Sequence, residues 1–256
     1  MSGLSPSAVV RSQARKTLKG NYVAAVASFV ILLLPIFIIE GLVSVIDGLL
    51  SLITQDPNML GVLEIVTLTP ITILLFVLFS PLFNGFVRLF YEASFTREFN
   101  MSNLFYYFGS GKYHRALHLN LSLAIRLMFP AVLFFLPLFA YYIFCFAYMD
   151  SFVGTMLYKD FEFILTIMSS ILLIIYSLKY FLVLTMFCND DSIEARDLFR
   201  MSKEIMRDQK GSATKLFFSF TPWMLLCLLI LPALYVVPYM TQSLCIGAKW
   251  MTMKGK

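Results

Sequence analysis

Four ionisable residues stand where a membrane chain usually has none, and they carry the first chemical question. Arg88 and Glu92 are i, i+4 neighbours, while Arg126 and Lys179 lie in two further apolar stretches. An acid four residues from an arginine can orient its guanidinium. An arginine fork grips a phosphate with two bonds. Together, Arg88, Glu92, Arg126 and Lys179 read as a basic pocket between spans that holds an anionic lipid headgroup. The alternative is snorkelling, with each long side chain reaching the headgroup layer from lipid on its own. No cofactor site is expected.

Other spacings fall short of chemistry. His114 and His118 share a helical face and could chelate a metal. No Glu lies between them, no third ligand is near and Arg115 adds repulsion, so no metal site is expected. Gly109-Ser110-Gly111-Lys112 resembles a phosphate loop only superficially, because Tyr106 stands in place of the first glycine and Tyr113 in place of Ser or Thr. There is no clustered Asp/His/Ser set for acid–base work, so a non-enzymatic protein is expected. Cys145, Cys188, Cys227 and Cys245 lie singly in apolar surroundings and read as small buried hydrophobes.

The elements that position these residues are membrane helices. Hydrophobic residues make up 59% of the 256 and charged residues 14%, against about a quarter charged in soluble domains. Mean hydropathy is +0.81. The apolar runs reach the roughly 20 residues a helix needs to cross a bilayer, and they lack the alternation of barrel strands. The net charge of +5 does not point to nucleic acid, since Lys and Arg gather in alternate polar segments, as the positive-inside rule requires.

The expected fold is all-α: a polytopic membrane protein with six transmembrane helices in three hairpins and cytoplasmic amphipathic helices. Residues 1–256 form one integral membrane domain, with hairpin units at roughly 5–98, 102–188 and 190–252. A basic helix begins at Ser5-Pro6 and ends at Gly20. Arg11, Arg15, Lys16 and Lys19 place the N-terminus in the cytoplasm. The first apolar run is too long for a cleavable signal peptide and reads as an uncleaved span. It covers about Tyr22 to Ile39 and ends at Glu40-Gly41. The segments to Thr69 form an outer cap, and Pro70 opens span two.

Asn103 to Phe108 is a short aromatic helix, followed by span three from Leu117 to Met149 with kinks at Pro130 and Pro137. Span four, Phe163 to Phe187, has no proline and reads as a straight strut. Asp191 to Gln209 is a cytoplasmic helix, with capping-box spacing at Asp191 and Glu194 and closure at Gly211. Its apolar stripe is Ile193, Leu198, Met201, Ile205 and Met206. The apolar run from Leu216 to Tyr239 is expected to turn at Leu231-Pro232, which keeps both termini cytoplasmic. Tyr22, Tyr91, Tyr158, Tyr239 and Trp250 read as interfacial anchors; Gly85 and Ser219 would allow close helix approach, but neither sits in a small-xxx-small repeat strong enough to weigh. Lys19-Gly20, Gly111-Lys112 and Lys210-Gly211 recur before outgoing spans, from duplication or from coincident hydropathy.

Ala14-Arg15-Lys16-Thr17-Leu18-Lys19-Gly20-Asn21-Tyr22 resembles the opening motif of a bacterial membrane family catalogued as domain of unknown function 975. Tyr176-Ser177, Ser202 through Met206, Lys210-Gly211, Phe218-Ser219-Phe220, Trp223 and Pro238-Tyr239 are similar to further parts of its pattern. Thr221-Pro222 departs from it, standing where the family tends to have Ile-Gly. The family resembles, distantly, the membrane domain beside some glycerophosphodiester phosphodiesterases. The resemblance implies a bacterial inner-membrane fold in a lipid-facing context and names no catalytic residue. The expected partners are anionic membrane lipids and a protein met through the cytoplasmic helices, with a lipid or peptide transporter component as the alternative.

Overall fold

A computed structural model describes residues 6–53, 57–109, 111–148, 155–227 and 229–254, and everything below concerns these. The elements in order are α1 (Pro6–Leu18), α2 (Tyr22–Ile53), α3 (Pro57–Thr96), a 3₁₀ segment (Met101–Phe108), α4 (Tyr113–Tyr148) and α5 (Met156–Ser177). A 3₁₀ turn (Leu178–Tyr180) leads to α6 (Val183–Asn189), α7 (Ala195–Phe218), α8 (Thr221–Leu226) and α9 (Ile230–Lys254). Among the described residues the chain is helical, without strands.

Four stretches are long and apolar enough to cross a membrane: Tyr22–Leu52, Ile65–Thr96, Tyr113–Cys145 and Met156–Asn189. The chain is therefore a membrane protein. The C-terminal pair of the expected six spans is not among the four. Its outgoing arm, α8, has 6 residues and reaches only about 9 Å, against the roughly 30 Å of a hydrocarbon core. The turn follows at once, with Cys227 N–H bonded to Met224 O at 3.0 Å and Leu229 N–H to Leu226 O at 3.1 Å.

The first hairpin also differs from expectation. Helix α2 continues through Glu40-Gly41, and α3 through Pro70 and Pro81. No separate outer cap forms, because a helix longer than the bilayer is thick simply extends beyond it. Conversely, the straight strut is broken. The Lys179 carbonyl, due to accept within a continuing helix, accepts instead from Ser202 Oγ of α7 at 2.9 Å, and the chain tightens to 3₁₀ there.

Glycine and cap positions explain the remaining differences. Gly20, with φ +91°, ends α1 as a left-handed cap, and Gly111, with φ +81°, lies in the turn before α4. Gly211 stays helical, because Ala213 and Leu216 beyond it are buried and hold α7 to Phe218. Glu194 is the N-cap of α7 and makes no side-chain cap bond. The expected capping box is replaced by Asp190, whose Oδ1 accepts from Ser192 N–H at 3.0 Å and Oγ at 2.6 Å. Those bonds hold the Asp190 carboxyl below its ordinary pKa.

The core sits at one end of the bundle. Only 11% of the most apolar window is buried in each of the first three candidate spans, against 44% in the fourth. Apolar residues on their far halves, such as Phe37, Val66, Phe129 and Phe163, are open to the surroundings. The buried residues gather where α1, the end of α3, the 3₁₀ segment, α6, α7 and α9 meet; we call this end the base. Helix α1 turns Val10, Ala14 and Leu18 inward against that core rather than toward lipid. Tyr91 and Tyr239, expected as interfacial anchors, are buried in it too.

The tightest contact in the base is at Gly85. A Cβ there would lie 1.9 Å from the Leu104 carbonyl oxygen of the 3₁₀ segment, so only glycine allows this approach. Gly85→Ala is expected to cost about 1–3 kcal/mol or more, read as a lowered melting temperature in detergent. An unchanged melting temperature counts against the packing described.

Candidate functional site

The Gly85 contact sets the 3₁₀ segment beside the polar face of α3. On that face Asn84, Arg88 and Glu92 follow one another at helical spacing. Arg88 Nη2 and Glu92 Oε1 are 2.7 Å apart, as the i, i+4 pattern anticipates. Asn103 Nδ2 donates to the other carboxylate oxygen, Glu92 Oε2. Arg88 Nη1 donates to the Cys188 carbonyl at 3.2 Å, tying α3 to the end of α6.

Tyr106 completes this arrangement. The Arg88 guanidinium lies 3.6 Å from its ring centroid and the Lys112 ammonium 3.5 Å. Two cations that close to one ring must occupy opposite faces. Tyr106 Oη donates to Asp191 Oδ2 at 3.1 Å, and Arg115 Nη1 donates to the Asp191 carbonyl at 3.3 Å. Beside it Tyr107, wholly buried, stacks on Phe187 at 5.1 Å. Burial raises the Tyr107 phenol's pKa, so it stays neutral. Arg88 and Glu92 are thus a brace whose charges face each other, with little left over for an outside anion.

Arg126 and Lys179 lie elsewhere in the base. Phe199 of α7 and Tyr180 of the 3₁₀ turn are buried and meet edge to face at 5.4 Å. Arg126 lies 4.0 Å over Phe199. Lys179 lies 3.2 Å over Tyr176 and 5.0 Å over Tyr180, and Lys203 lies 5.5 Å over Tyr180. Ring faces attract cations through their quadrupole, by about 0.5–2 kcal/mol as burial deepens. None of the three is in an ion pair among the described residues. The structure therefore splits the four residues singled out from sequence into two pairs.

Sequence reasoning missed Asn103, Tyr106, Lys112 and Lys203. Lys112 was visible only as the end of a failed phosphate loop, and Lys203 only as one of several charges on the outer face of α7. His114 and His118 are both exposed and line one recess with Arg115 and Glu194. The described residues hold no group of three or more His, Cys, Asp or Glu suited to a metal.

Arg88→Leu removes the centre of the brace and is expected to cost roughly 1–3 kcal/mol, less than a fully buried pair because both partners are partly exposed. Thermal unfolding in detergent measures it. Loss of lipid without loss of stability would instead make Arg88 a ligand residue.

The comparisons with known proteins yield one match. A family model described as protein of unknown function (DUF975) matches residues 4–246. No curated protein and no solved structure matches the chain.

Proposed function

The chain belongs to the family described as protein of unknown function DUF975, and from that premise we propose that it is a non-enzymatic protein of the bacterial cytoplasmic membrane that holds anionic lipid at its base. The observation that carries this reading is the set of three cations, Arg126, Lys179 and Lys203, gathered on the rings of Phe199, Tyr176 and Tyr180 with no carboxylate partner among the described residues. Like charges brought together repel unless an anion joins them. Aromatic faces hold these cations without neutralising them, so the site keeps its attraction for a phosphate headgroup. Arg88 and Glu92 support it indirectly, by fixing the 3₁₀ segment and α6.

The base faces the cytoplasm in this reading. It carries the exposed Arg15 and Lys16 of α1, Lys19 just past it, and Arg196, Arg200 and Arg207 of α7, as the positive-inside rule favours. Four crossings, with α8 and α9 kept at the base, leave both termini on that side. The exposed basic face of α7 is then free to scaffold a protein partner. Arg126→Gln combined with Lys203→Gln is expected to lower copurifying phosphatidylglycerol roughly thirtyfold, at about 1 kcal/mol per charge. Quantitative lipid mass spectrometry checks this, and unchanged lipid content sinks the proposal.

A second reading rests on a groove of about 430 Å³ between α2, α3 and α4, lined by Ile36, Phe79, Phe83, Leu123 and Leu127 among others. Asn120 lies on its wall with its amide nitrogen buried and unpartnered. An apolar furrow with one polar handle suits a component that moves an amphiphile. Proteoliposomes containing the protein would then exchange a fluorescent lipid between leaflets faster than empty ones, and Leu127→Trp would slow the exchange. Equal rates with and without protein discard this reading.

A further inference from the structure

Helices α1, α3 and α9 all end around one recess of about 280 Å³, at the other side of the base. Its charged lining is Lys16 from α1, Arg97 just past α3 and Lys249 from α9, and no carboxylate lines it. At about 30 Å³ per water, the recess has room for a group the size of a lipid headgroup.

Cations at helix C-termini have an ordinary explanation, since each terminus carries about −0.5 of an elementary charge. Three termini supply roughly −1.5 against three full positive charges, leaving roughly +1.5 unopposed. A phosphate ester carries about −1 to −2. The charge left over is the charge such a group would bring.

Two details of the chain point the same way. Arg97 has φ +62° and closes α3 as a left-handed cap, its N–H bonded to Ala93 O at 3.0 Å. That position normally takes glycine, as Gly20 does at the end of α1. The strain is retained for an arginine whose carbonyl is clamped by Asn21 Nδ2 at 3.0 Å, at the start of α2. Lys249 Nζ lies 3.4 Å over the Phe95 ring and donates to the Ser94 carbonyl at 3.3 Å. Its ammonium is held by a ring face and a neutral acceptor. Burial lowers its pKa.

We infer that the recess where α1, α3 and α9 end is a phosphate-ester site, with Lys16, Arg97 and Lys249 supplying its charge. It shares no residue with the ring-borne cluster of Arg126, Lys179 and Lys203 and stands or falls apart from it. Ser94 and Phe95 of its lining belong to the base end of the second candidate span, which closes at Thr96, so it is placed for a phosphodiester headgroup. A soluble phosphate would satisfy the same residues.

The test uses the full chain in detergent, with short-chain phosphatidylglycerol, the matching phosphatidylcholine and inorganic phosphate as probes. Native mass spectrometry reads bound lipid, and melting temperature reads phosphate. Phosphatidylglycerol is expected to bind at least about tenfold tighter than phosphatidylcholine. Lys16→Gln with Lys249→Gln should weaken that binding by a similar factor. Arg97→Gly should weaken it while leaving the melting temperature of the free protein unchanged or raised, because glycine relieves the strained backbone. That variant separates lost binding from lost folding. Arg126→Gln with Lys203→Gln should leave one tight equivalent intact. A melting shift with inorganic phosphate but no preference for phosphatidylglycerol makes the ligand a soluble phosphate. If the Lys16/Lys249 and Arg97 variants bind both probes as the unaltered chain does, the site is overturned.

Discussion

A helix backbone and a carbonyl oxygen can approach as closely as α3 and Leu104 do only where no side chain intervenes. Gly85 supplies that gap, and the polar architecture of the base is built on it. With the 3₁₀ segment so close, Asn103 reaches Glu92, and the Tyr106 ring slides between Arg88 and Lys112. Arg88 in turn reaches Cys188, so α6 is fixed to α3. From α6 the packing passes through Phe187 and Tyr107 to Tyr180 and Phe199, the rings that carry the unpaired cations. One missing side chain thus stands upstream of both charge clusters.

The division between base and spans fits the proposed placement of the base in water and the spans in lipid. Water drives apolar surface together, and the base has a buried core of Leu, Phe and Tyr closed over by α1, α7 and α9. Lipid gives helices no such drive, and association there depends on close packing and hydrogen bonds. Those contacts are sparse along the spans. Ser169 Oγ donates to the Phe134 carbonyl at 2.8 Å between α4 and α5. Between the hairpins, Tyr113 Oη donates to Leu78 O at 3.0 Å and Asn84 Nδ2 to Ala116 O at 3.5 Å. The last two lie toward the base.

What could be read from the residues was local. The Arg88–Glu92 pair, the helix end at Gly20 and the inward stripe of α7 each depend on neighbours in sequence, and each is present. The misread features depend on distant partners. No residue near Lys179 announces that Ser202 will take its carbonyl and break the fourth span. Nothing near Gly211 shows that Leu216 will be packed against Gly247 of α9, keeping α7 helical. Charge counting read the C-terminal apolar run as two crossings, and among the described residues α8 and α9 are not in the four stretches long and apolar enough to cross. The grouping of the four candidate site residues is set by aromatic rings that bring no charge and so drew no notice.

The long outer helices carry a mechanical implication. Helix α2 has 32 residues and α3 has 40, about 48 and 60 Å at 1.5 Å per residue, both well beyond the hydrocarbon thickness. Helices α2 and α3 pack on each other, as α4 and α5 do, and the two pairs meet near one end, like the arms of a pair of tongs. A thicker or thinner bilayer can be matched by leaning the arms, and the hinge end need not repack. Changes in membrane composition would then register as arm angle while the solvent-side fold kept its shape.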